Sequence, residues 1–382
     1  MTFWTGEIND GYRFEAQVGF YDTTLRDGEQ TVGVVLTPED KLELARGLDE
    51  LGIERIEAGF PRVSADDWRA VELIRDAGLN AEVWGFSRAV DADVKALVEL
   101  GVGASVIESP ISDLKLAALG VDREAMLERI VYAVSFAVEQ GIKVAFFGVD
   151  GTRADPSYFE TVYKTAIEAG AHEAVVVDTI GIASPEAVAD LVGRTKEWVG
   201  DVPVHFHGHN DFGLATAAAL AAARAGASWI QGTVNGMGER AGNANLPEIA
   251  LALRGLYGVE TNLRLDRVRA FAERLQQLSG YELEPYKPLV GDNLFRRESG
   301  AVASQFHDPP AIEPYSSDVV AAERSIVLGK KSGIDSIRIK AQELGLDLDE
   351  DAQRVLLVRV KELGTTKRDV VTDDEFRQLA RG

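Results

Sequence analysis

The chain has 382 residues, no cysteine and a formal net charge of −22. The absence of cysteine excludes disulfides, thiolate metal sites and a cysteine nucleophile. The acidic balance argues against non-specific nucleic-acid binding. No apolar stretch is long enough to span a bilayer, and the N-terminus lacks the pattern of a signal peptide. We therefore expect a soluble cytoplasmic protein that binds neither nucleic acid nor membrane.

Short β-rich runs alternate with longer amphipathic segments over the first 280 residues. This alternation predicts a (β/α)8 TIM barrel rather than an open doubly wound sheet, with the active site at the carboxyl ends of the strands. Glycine follows many of the helical segments, as expected at helix C-termini. The predicted strands are Val18–Tyr21, Arg55–Ala58, Glu82–Gly85, Ala104–Ile107, Lys143–Phe147, Glu173–Val177, Val204–Phe206 and Trp229–Gly232.

The alternation stops after residue 280. Prolines mark an extended linker, and helical patterns resume at Gly333–Leu344, Glu350–Leu363 and Asp373–Ala380. We therefore predict a catalytic barrel over residues 1–280 and a smaller, mainly helical C-terminal domain over 281–382. The segment Asp292–Phe306 is expected to cover the mouth of a barrel.

Polar residues follow the first strand in the segment Asp22–Gln30. Asp27 can ligate a metal, although Asp and Gly are also common turn residues. Asp22 is a second possible ligand or a partner of one. Arg26 supplies a cation that could hold a carboxylate or stabilise an oxyanion. Arg26 and Gln30 are expected to contact substrate.

Three other strands carry polar residues at or near their carboxyl ends. Glu57 is an acid in an apolar strand and therefore needs a partner, for which Arg26 is the best candidate. Arg88 and Thr179 follow strands 3 and 6. Thr179 could hydrogen-bond a substrate carboxylate or cap a helix. We include Glu57, Arg88 and Thr179 among the substrate-binding candidates.

Three of the five histidines lie at alternate positions in Val204–Gly213. His205, His207 and His209 would share one face of a strand, and imidazoles spaced in this way can bind one divalent ion. Structural histidines in a core are the alternative. His₂-carboxylate ligation suits Mg²⁺, Mn²⁺ or Zn²⁺. After strand 8, the glycines of Asn235–Asn243 match neither a dinucleotide fingerprint nor a phosphate-binding loop.

Taken together, Asp22–Gln30, His207–Asp211, Asn235–Asn243, Gly59-Phe60-Pro61 and Leu328–Gly333 resemble the DRE-TIM metallolyase superfamily, and most closely its homocitrate synthase and 2-isopropylmalate synthase branch. The resemblance runs from about Tyr21 to the C-terminus. It implies that Asp27, His207 and His209 bind the metal with Asn243 nearby, and that Arg26 stabilises an enolate. It also implies a homodimer in which Asp292–Phe306 lies near the partner's barrel.

Four positions depart from the synthase pattern. The resemblance implies a Glu at position 149, a His at 302, a Tyr near 312 and a His at 115, whereas this chain has Val149, Val302, Ile312 and Lys115. Apolar side chains cannot transfer protons, so acetyl-CoA chemistry is in doubt. The remaining candidate bases are His205, Asp150, Lys115 and metal-bound hydroxide.

These observations favour a metal-dependent carbon–carbon lyase or aldolase, or a condensing enzyme with an altered nucleophile. The substrate would be a 2-oxo or 2-hydroxy acid that binds the ion through its carboxylate and adjacent oxygen. One alternative is a true acetyl-CoA-dependent synthase. Another is a catalytically silent protein that binds metal and a 2-oxo acid.

Overall fold

The computed structural model describes residues 2–381. These residues form two compact units. One unit is Asn9–Glu282, and the other contains residues 2–8 and 283–381. The N-terminal residues thus belong with the C-terminal unit, which the predicted division at residue 280 did not anticipate. Phe3 lies opposite Tyr315 in an isolated bridge, and the Trp4 N–H donates to the Pro314 carbonyl at 2.8 Å.

Among the described residues, the first unit contains eight parallel strands that close into a barrel, with each strand paired to the next and β8 paired to β1. The predicted (β/α)8 barrel is confirmed. The strands are β1 Gly19–Asp22, β2 Arg55–Glu57, β3 Glu82–Arg88, β4 Ala104–Pro110, β5 Lys143–Val149, β6 Glu173–Asp178, β7 Val204–Gly208 and β8 Trp229–Gly232.

Helices connect and surround the strands: α1 Pro38–Glu50, α2 Ala65–Arg75, α3 Asp91–Leu100, α4 Asp113–Leu119, α5 Arg123–Glu139, α6 Pro156–Glu168, α7 Pro185–Val199, α8 Ala215–Arg224, α9 Leu246–Ala252 and α10 Leu265–Ser279. Several begin at a side chain that accepts a backbone N–H, as Thr37, Ser64, Ser112, Asp155 and Ser184 do. Such caps contribute about 0.5–2 kcal/mol each.

Four strands extend two or three residues further than predicted at their carboxyl ends. The predictions for β3, β4, β5 and β7 stopped where the side chains become polar or the run meets glycine. The backbone ladder nevertheless continues, because Arg88 pairs with Glu108 and Pro110 pairs with Val149. The polar residues at this end are therefore held on rigid strands, which is where barrel active sites lie.

The barrel interior is filled by inward-facing side chains of alternate strand residues. Aromatic and small residues form one buried cluster: Tyr21, Trp84, Phe86, Ala104, Val106, Ala145, Phe147, Val175 and Val177. Burying a large apolar side chain stabilises the fold by about 1.5–3 kcal/mol. This apolar layer lies between charged residues at the start of the strands and polar residues at their ends.

The second unit is mainly helical. It contains β9 Arg296–Arg297, α11 Gly300–Ala303, β10 Ser325–Ile326, α12 Ile334–Glu343, α13 Glu350–Lys367 and α14 Asp373–Arg381. Its core includes Ile326, Leu328, Ile337, Val360 and Phe376. Within residues 2–381, no helix combines the length and apolar character that a membrane crossing requires.

Candidate active site

Asp27, His207 and His209 converge at the carboxyl-terminal end of the barrel. Asp27 follows β1, His207 lies in β7 and His209 follows it, and both strands pair with β8. The Nε2 atoms of His207 and His209 lie 3.2 and 3.5 Å from Oδ2 of Asp27. All three potential ligand atoms lie within 4.8 Å of one another. The predicted triad is thus brought together in space.

The polar atoms of this triad lack ordinary partners. Both carboxylate oxygens of Asp27 and the Nδ1 atoms of His207 and His209 are buried without a hydrogen bond among the described residues. The short nitrogen–oxygen distances do not have hydrogen-bond geometry. Leaving buried polar atoms unsatisfied costs about 1–3 kcal/mol each. A divalent cation would satisfy the convergent ligand atoms, so the residues present fit a metal site.

Asn243 adjoins this triad through its backbone. It forms an isolated bridge with His209, and its Nδ2 donates to the Met237 carbonyl at 3.1 Å. Its Oδ1 is buried without a partner. A Cβ at Gly238 would lie 2.2 Å from Nδ2 of Asn243, so only glycine leaves room for this arrangement. The free oxygen makes Asn243 a candidate fourth ligand.

Arg26 is held beside the triad by a buried ion pair. Its Nε donates to Oε2 of Glu57 at 2.6 Å, and the Tyr21 hydroxyl donates to Oε1 of Glu57 at 3.0 Å. The predicted Arg26–Glu57 pair is therefore present. Nη1 of Arg26 lies 3.5 Å from Oδ2 of Asp27, and Nη2 is buried without a partner. This leaves one buried donor group available to a ligand.

Burial and the neighbouring charges shift the pKa values of the site residues in opposite directions. Burial alone would raise the pKa of Asp27, but Arg26 and the two histidines outweigh it and hold that pKa well below its usual range. Burial likewise lowers the pKa of His209 to about 4, although Asp27 opposes the change. Asp27 is therefore an anion and His209 a neutral imidazole at pH 7, which are the forms that bind a metal.

Aromatic rings form the floor of the site. The Phe147 ring lies 5.1 Å from the His207 ring, edge to face, and the Arg26 guanidinium lies 4.2 Å from the centre of the Phe86 ring. Phe86 and Phe147 contact each other at 6.3 Å. An apolar floor lowers the local dielectric and strengthens electrostatic interactions of the groups above it.

Comparison with known proteins agrees with this geometry. A family model described as HMGL-like matches residues 17–275. The chain belongs to the HMGL-like family, within the DRE-TIM superfamily. This member is 42% identical over 367 residues to homocitrate synthase AksA of Methanopyrus kandleri, covering 96% of this chain and 92% of the relative. It is 37% identical to 2-isopropylmalate synthase of Methanocaldococcus jannaschii, covering 96% and 73% of the two chains.

Solved structures with the same fold include HMG-CoA lyases. The Brucella melitensis enzyme has a TM-score of 0.62 at 22% identity and covers 70% of this HMGL-like chain and all of its own. The Pseudomonas aeruginosa enzyme has a TM-score of 0.60 at 21% identity and covers 70% and 93%. Identity this low supports the barrel fold alone.

His205 lies apart from the other two histidines, which does not favour its predicted role as a catalytic base. Its Nε2 lies 2.5 Å from Oε2 of Glu173, which also accepts from Nη1 of Arg55 at 2.6 Å. Its Nδ1 is paired with the Gln231 amide at 3.1 Å. Both ring nitrogens are thus occupied, at the opposite end of the barrel interior. Burial lowers the pKa of His205 even though Glu173 opposes the change.

Asp150 and Thr179 make contacts that link the loop after β5 to the loop after β6. Asp150 is buried, and its two oxygens accept from Arg153 at 2.8 and 2.7 Å, while Ser112 donates to one of them. The Asp150 N–H donates to the Thr179 hydroxyl oxygen at 2.6 Å. Asp150 has a φ of +63°, an uncommon conformation that these contacts stabilise. Asp150 is therefore not a free base, and Thr179 links two loops.

Three other candidates lie nearer to solvent. Arg88 has a half-exposed side chain that pairs with Asp93 at 2.7 Å. Lys115 is partly buried in the first turn of α4, where its N–H is capped by Ser112. Gln30 is exposed and lines a cavity of about 270 Å³ that Arg26 and Phe60 also line. These positions are compatible with substrate contact, which remains a prediction.

Two charged residues in the barrel unit were missed by the sequence analysis. Lys41 is buried in the wall of the same cavity and pairs with Glu29 at 2.5 Å and Asp67 at 2.7 Å. A lysine in an amphipathic helix normally lies on the solvated face, so nothing in the pattern indicated that Lys41 is buried. Glu108 lies in β4 directly after Val106 and Ile107, and it is the only charged residue of that strand. It carries the same signal that identified Glu57.

Asp22 lies outside the triad of Asp27, His207 and His209 and stabilises the turn after β1. Its Oδ1 and Oδ2 accept from the N–H and hydroxyl of Thr24 at 2.8 and 2.9 Å. Burial raises its pKa to about 7, although the hydrogen bonds from Thr24 oppose that shift. Asp22 therefore contributes stability that is fully present below its unfolded-state pKa and is lost as the pH rises through about 7.

We expect Asp22→Asn to remove this pH dependence. Between about pH 4 and 7, the unfolding free energy of the wild-type protein should fall relative to the variant by up to about 1.4 kcal/mol per pH unit. Above pH 8 the difference should be constant. Urea unfolding at pH 5, 6, 7 and 8 measures both proteins. A difference that does not change with pH would contradict the protonation of Asp22.

Proposed function

We propose that the protein is a divalent-metal-dependent enzyme that acts on a carbon–carbon bond of a 2-oxo or 2-hydroxy carboxylic acid, and that its reaction is an aldol-type cleavage. The observation that carries the proposal is the convergence of unpartnered Asp27, His207 and His209 atoms beside a buried Arg26. A carboxylate substrate and a cation together complement this set of charges.

Each residue of the site would have a separate role in the reaction. Asp27, His207 and His209 would hold the metal, with Asn243 as a fourth candidate. The bound cation would act as a Lewis acid on the oxygen atom next to the substrate carboxylate. Arg26 would donate from Nη2 to the oxyanion of the enolate or alkoxide, while Glu57 and Tyr21 keep the guanidinium in place. The Phe86 and Phe147 floor would exclude water from this face.

Val149 is the main reason to prefer cleavage over condensation with acetyl-CoA. It ends β5 and packs against the apolar interior cluster. The synthase pattern implies a proton-transferring Glu at this position, together with a His and a Tyr where Val302 and Ile312 occur. Cleavage of an aldol needs a metal, an oxyanion donor and one base, and does not require the missing groups.

The second candidate is an acetyl-CoA-dependent synthase of the homocitrate, isopropylmalate or citramalate type. The 42% identity to homocitrate synthase AksA over nearly the whole chain favours it. The third, a silent metal- and 2-oxo-acid-binding protein, is less favoured. A buried Arg26–Glu57 pair is costly to desolvate, and a silent protein gains nothing from it.

The deciding experiment is a substrate panel. The protein would be incubated with Mg²⁺, Mn²⁺ or Zn²⁺ and a series of 2-oxo and 2-hydroxy acids, with and without acetyl-CoA. Free thiol and the products pyruvate and oxaloacetate would be followed. Metal-dependent product without acetyl-CoA supports cleavage, thiol release supports a synthase, and metal binding without turnover of any compound supports the silent alternative.

We expect the wild-type protein to release little or no thiol from acetyl-CoA with 2-oxoisovalerate, 2-oxoglutarate or pyruvate. Val149→Glu alone should not restore the activity, because Val302 still lacks a proton-transfer group. Val149→Gln, with similar shape and no charge, is the matched control. Thiol-release assays at saturating metal measure all three proteins. Robust acetyl-CoA-dependent condensation by the wild type would contradict the proposed cleavage and support the synthase alternative.

The biological setting is part of the same proposal. We place the enzyme in the cytoplasm as a homodimer, with Asp292–Phe306 near the partner's barrel. Its partner molecules would be small carboxylates, and acetyl-CoA is a doubtful one. No nucleic acid or membrane is expected to take part, in keeping with the net charge of −22.

A further inference from the structure

Glu108 is a carboxylate on the inward face of the barrel that the proposed reaction has not yet used. Alternate residues of β4 point inward, and Ala104 and Val106 belong to the apolar interior cluster. Glu108 is the next residue in that series, at the carboxyl end of the strand. Its register partners are Arg88 on β3 and Phe147 on β5.

The Glu108 side chain is unpaired. Among residues 2–381, no hydrogen bond or ion pair to its carboxylate is found, although most of the side chain is buried. The other acids at this end are occupied: Glu57 by Arg26 and Tyr21, Asp150 by Arg153 and Ser112, and Asp27 by its place in the metal-binding triad. Burying an unpaired carboxylate costs free energy, and a role in the reaction would account for its retention at this position.

Glu108 shares its surroundings with the oxyanion donor of the site. Arg26 and Glu108 interact electrostatically. Phe147, the register partner of Glu108 on β5, has a ring that contacts the ring of His207. The groups that act on Glu108 are Arg26 after β1, Glu57 on β2, Arg88 on β3 and Lys115 on α4. Burial raises the pKa of Glu108 to about 7, while the three cations oppose this and Glu57 adds to it. A base that titrates near the working pH transfers protons efficiently in both directions.

We propose that Glu108 is the catalytic residue that exchanges a proton with the substrate, an assignment that rests on the proposed carbon–carbon bond chemistry. With a 4-hydroxy-2-oxo acid, the carboxylate takes the proton of the 4-hydroxyl group. The bond between C3 and C4 breaks, the C4 oxygen forms the carbonyl of an aldehyde, and the electron pair moves to the enolate of the 2-oxo acid. The proton then returns from Glu108 to C3. No other reactant is needed.

This assignment replaces the bases expected from the sequence. His205 has both ring nitrogens occupied far from the site, and Asp150 has both oxygens held by Arg153 and Ser112. Lys115 lies on α4 outside the barrel strands, whereas Glu108 is the acid of β4 that faces the interior.

The test compares Glu108→Gln and Glu108→Asp with the wild type. Glu99→Gln, on the exposed side of α3, is the matched control. Turnover would be measured as a function of pH on whichever substrate the wild type uses. Metal affinity would be measured by calorimetry with Mn²⁺, and the ionisation of Glu108 by infrared difference titration of the metal-free protein.

We expect Glu108→Gln to lower kcat by about 10²–10⁴ and to lose the ionisation near neutral pH, with KM and metal affinity little changed. Glu108→Asp should recover part of the rate. Wild-type turnover in Glu108→Gln would overturn the assignment and leave the proposed function standing. If the wild type turns over no substrate, the proposed function fails. The infrared titration then decides the assignment of Glu108. A carboxyl group that titrates near neutral pH in the wild type and is missing from Glu108→Gln supports an unpaired Glu108. If the wild type shows no such group, the assignment is overturned.

Discussion

Arg26→Ala is expected to lower metal-dependent turnover by about 10²–10³, because loss of one oxyanion-stabilising donor has that effect in other enzymes. The same change leaves Glu57 buried without its guanidinium partner, since Tyr21 supplies only one hydrogen bond. Breaking a buried pair in this way destabilises a protein by about 3–5 kcal/mol. Steady-state kinetics and urea unfolding measure the two effects separately.

The double variant Arg26→Met with Glu57→Gln separates function from folding. Replacing both charges removes the uncompensated carboxylate, so most of the stability should return while turnover stays low. Arg69→Ala, which removes an exposed arginine on α2, should change neither quantity. Recovery of turnover together with stability would mean that Arg26 acts only through folding, and its role as oxyanion donor would be lost.

Asp27→Asn, His207→Ala and His209→Ala are each expected to abolish tight binding of a divalent ion. In the wild-type protein, a metal at about 100 times its dissociation constant should stabilise the fold by about 2.7 kcal/mol. The variants should show no such gain, because each removes one of three converging ligands. Calorimetric titration with Mn²⁺, Zn²⁺ and Mg²⁺ and thermal unfolding with and without metal test this.

His307→Ala is the control for these variants, because His307 is an exposed histidine outside the barrel unit. It should bind metal with wild-type affinity. If metal raises the unfolding midpoint of Asp27→Asn as much as that of the wild type, the ion binds elsewhere. The proposed function would then lose the observation that carries it.

The barrel could be predicted because its signal is periodic, and the triad because the motifs that contain it resemble those of a known superfamily. Alternation of strand and helix patterns identified all eight strands. The spacing of the histidines pointed to His205, His207 and His209 together, and the family resemblance selected His207 and His209. The same spacing misled for His205. Residues at i and i+2 share a face, but each lies about 6–7 Å further along the strand. His205 therefore points into the same interior at a different depth, which no pattern of alternation reveals.

The occupied and unoccupied acids could not be told apart from sequence. Asp150 precedes Gly151 at the end of β5 in a position typical of active sites, yet Arg153 and Ser112 hold its carboxylate. Glu108 was overlooked although, like Glu57, it is an acid that follows apolar residues in a predicted strand. Whether a buried acid has a partner depends on contacts between strands distant in sequence, and a single sequence does not give those contacts.

The apolar layer of Trp84, Phe86, Phe147 and their neighbours has a consequence for how this barrel can change. Below it, Arg55, Glu173, His205 and Gln231 hold the strands together, and above it lie Arg26, Glu57 and the triad of the proposed active site. The described hydrogen bonds of the two networks share no residue. Substitutions at the two ends should therefore combine almost additively. During evolution, substitutions at the carboxyl ends of the strands could therefore change the reaction while the network at their amino ends continues to stabilise the barrel.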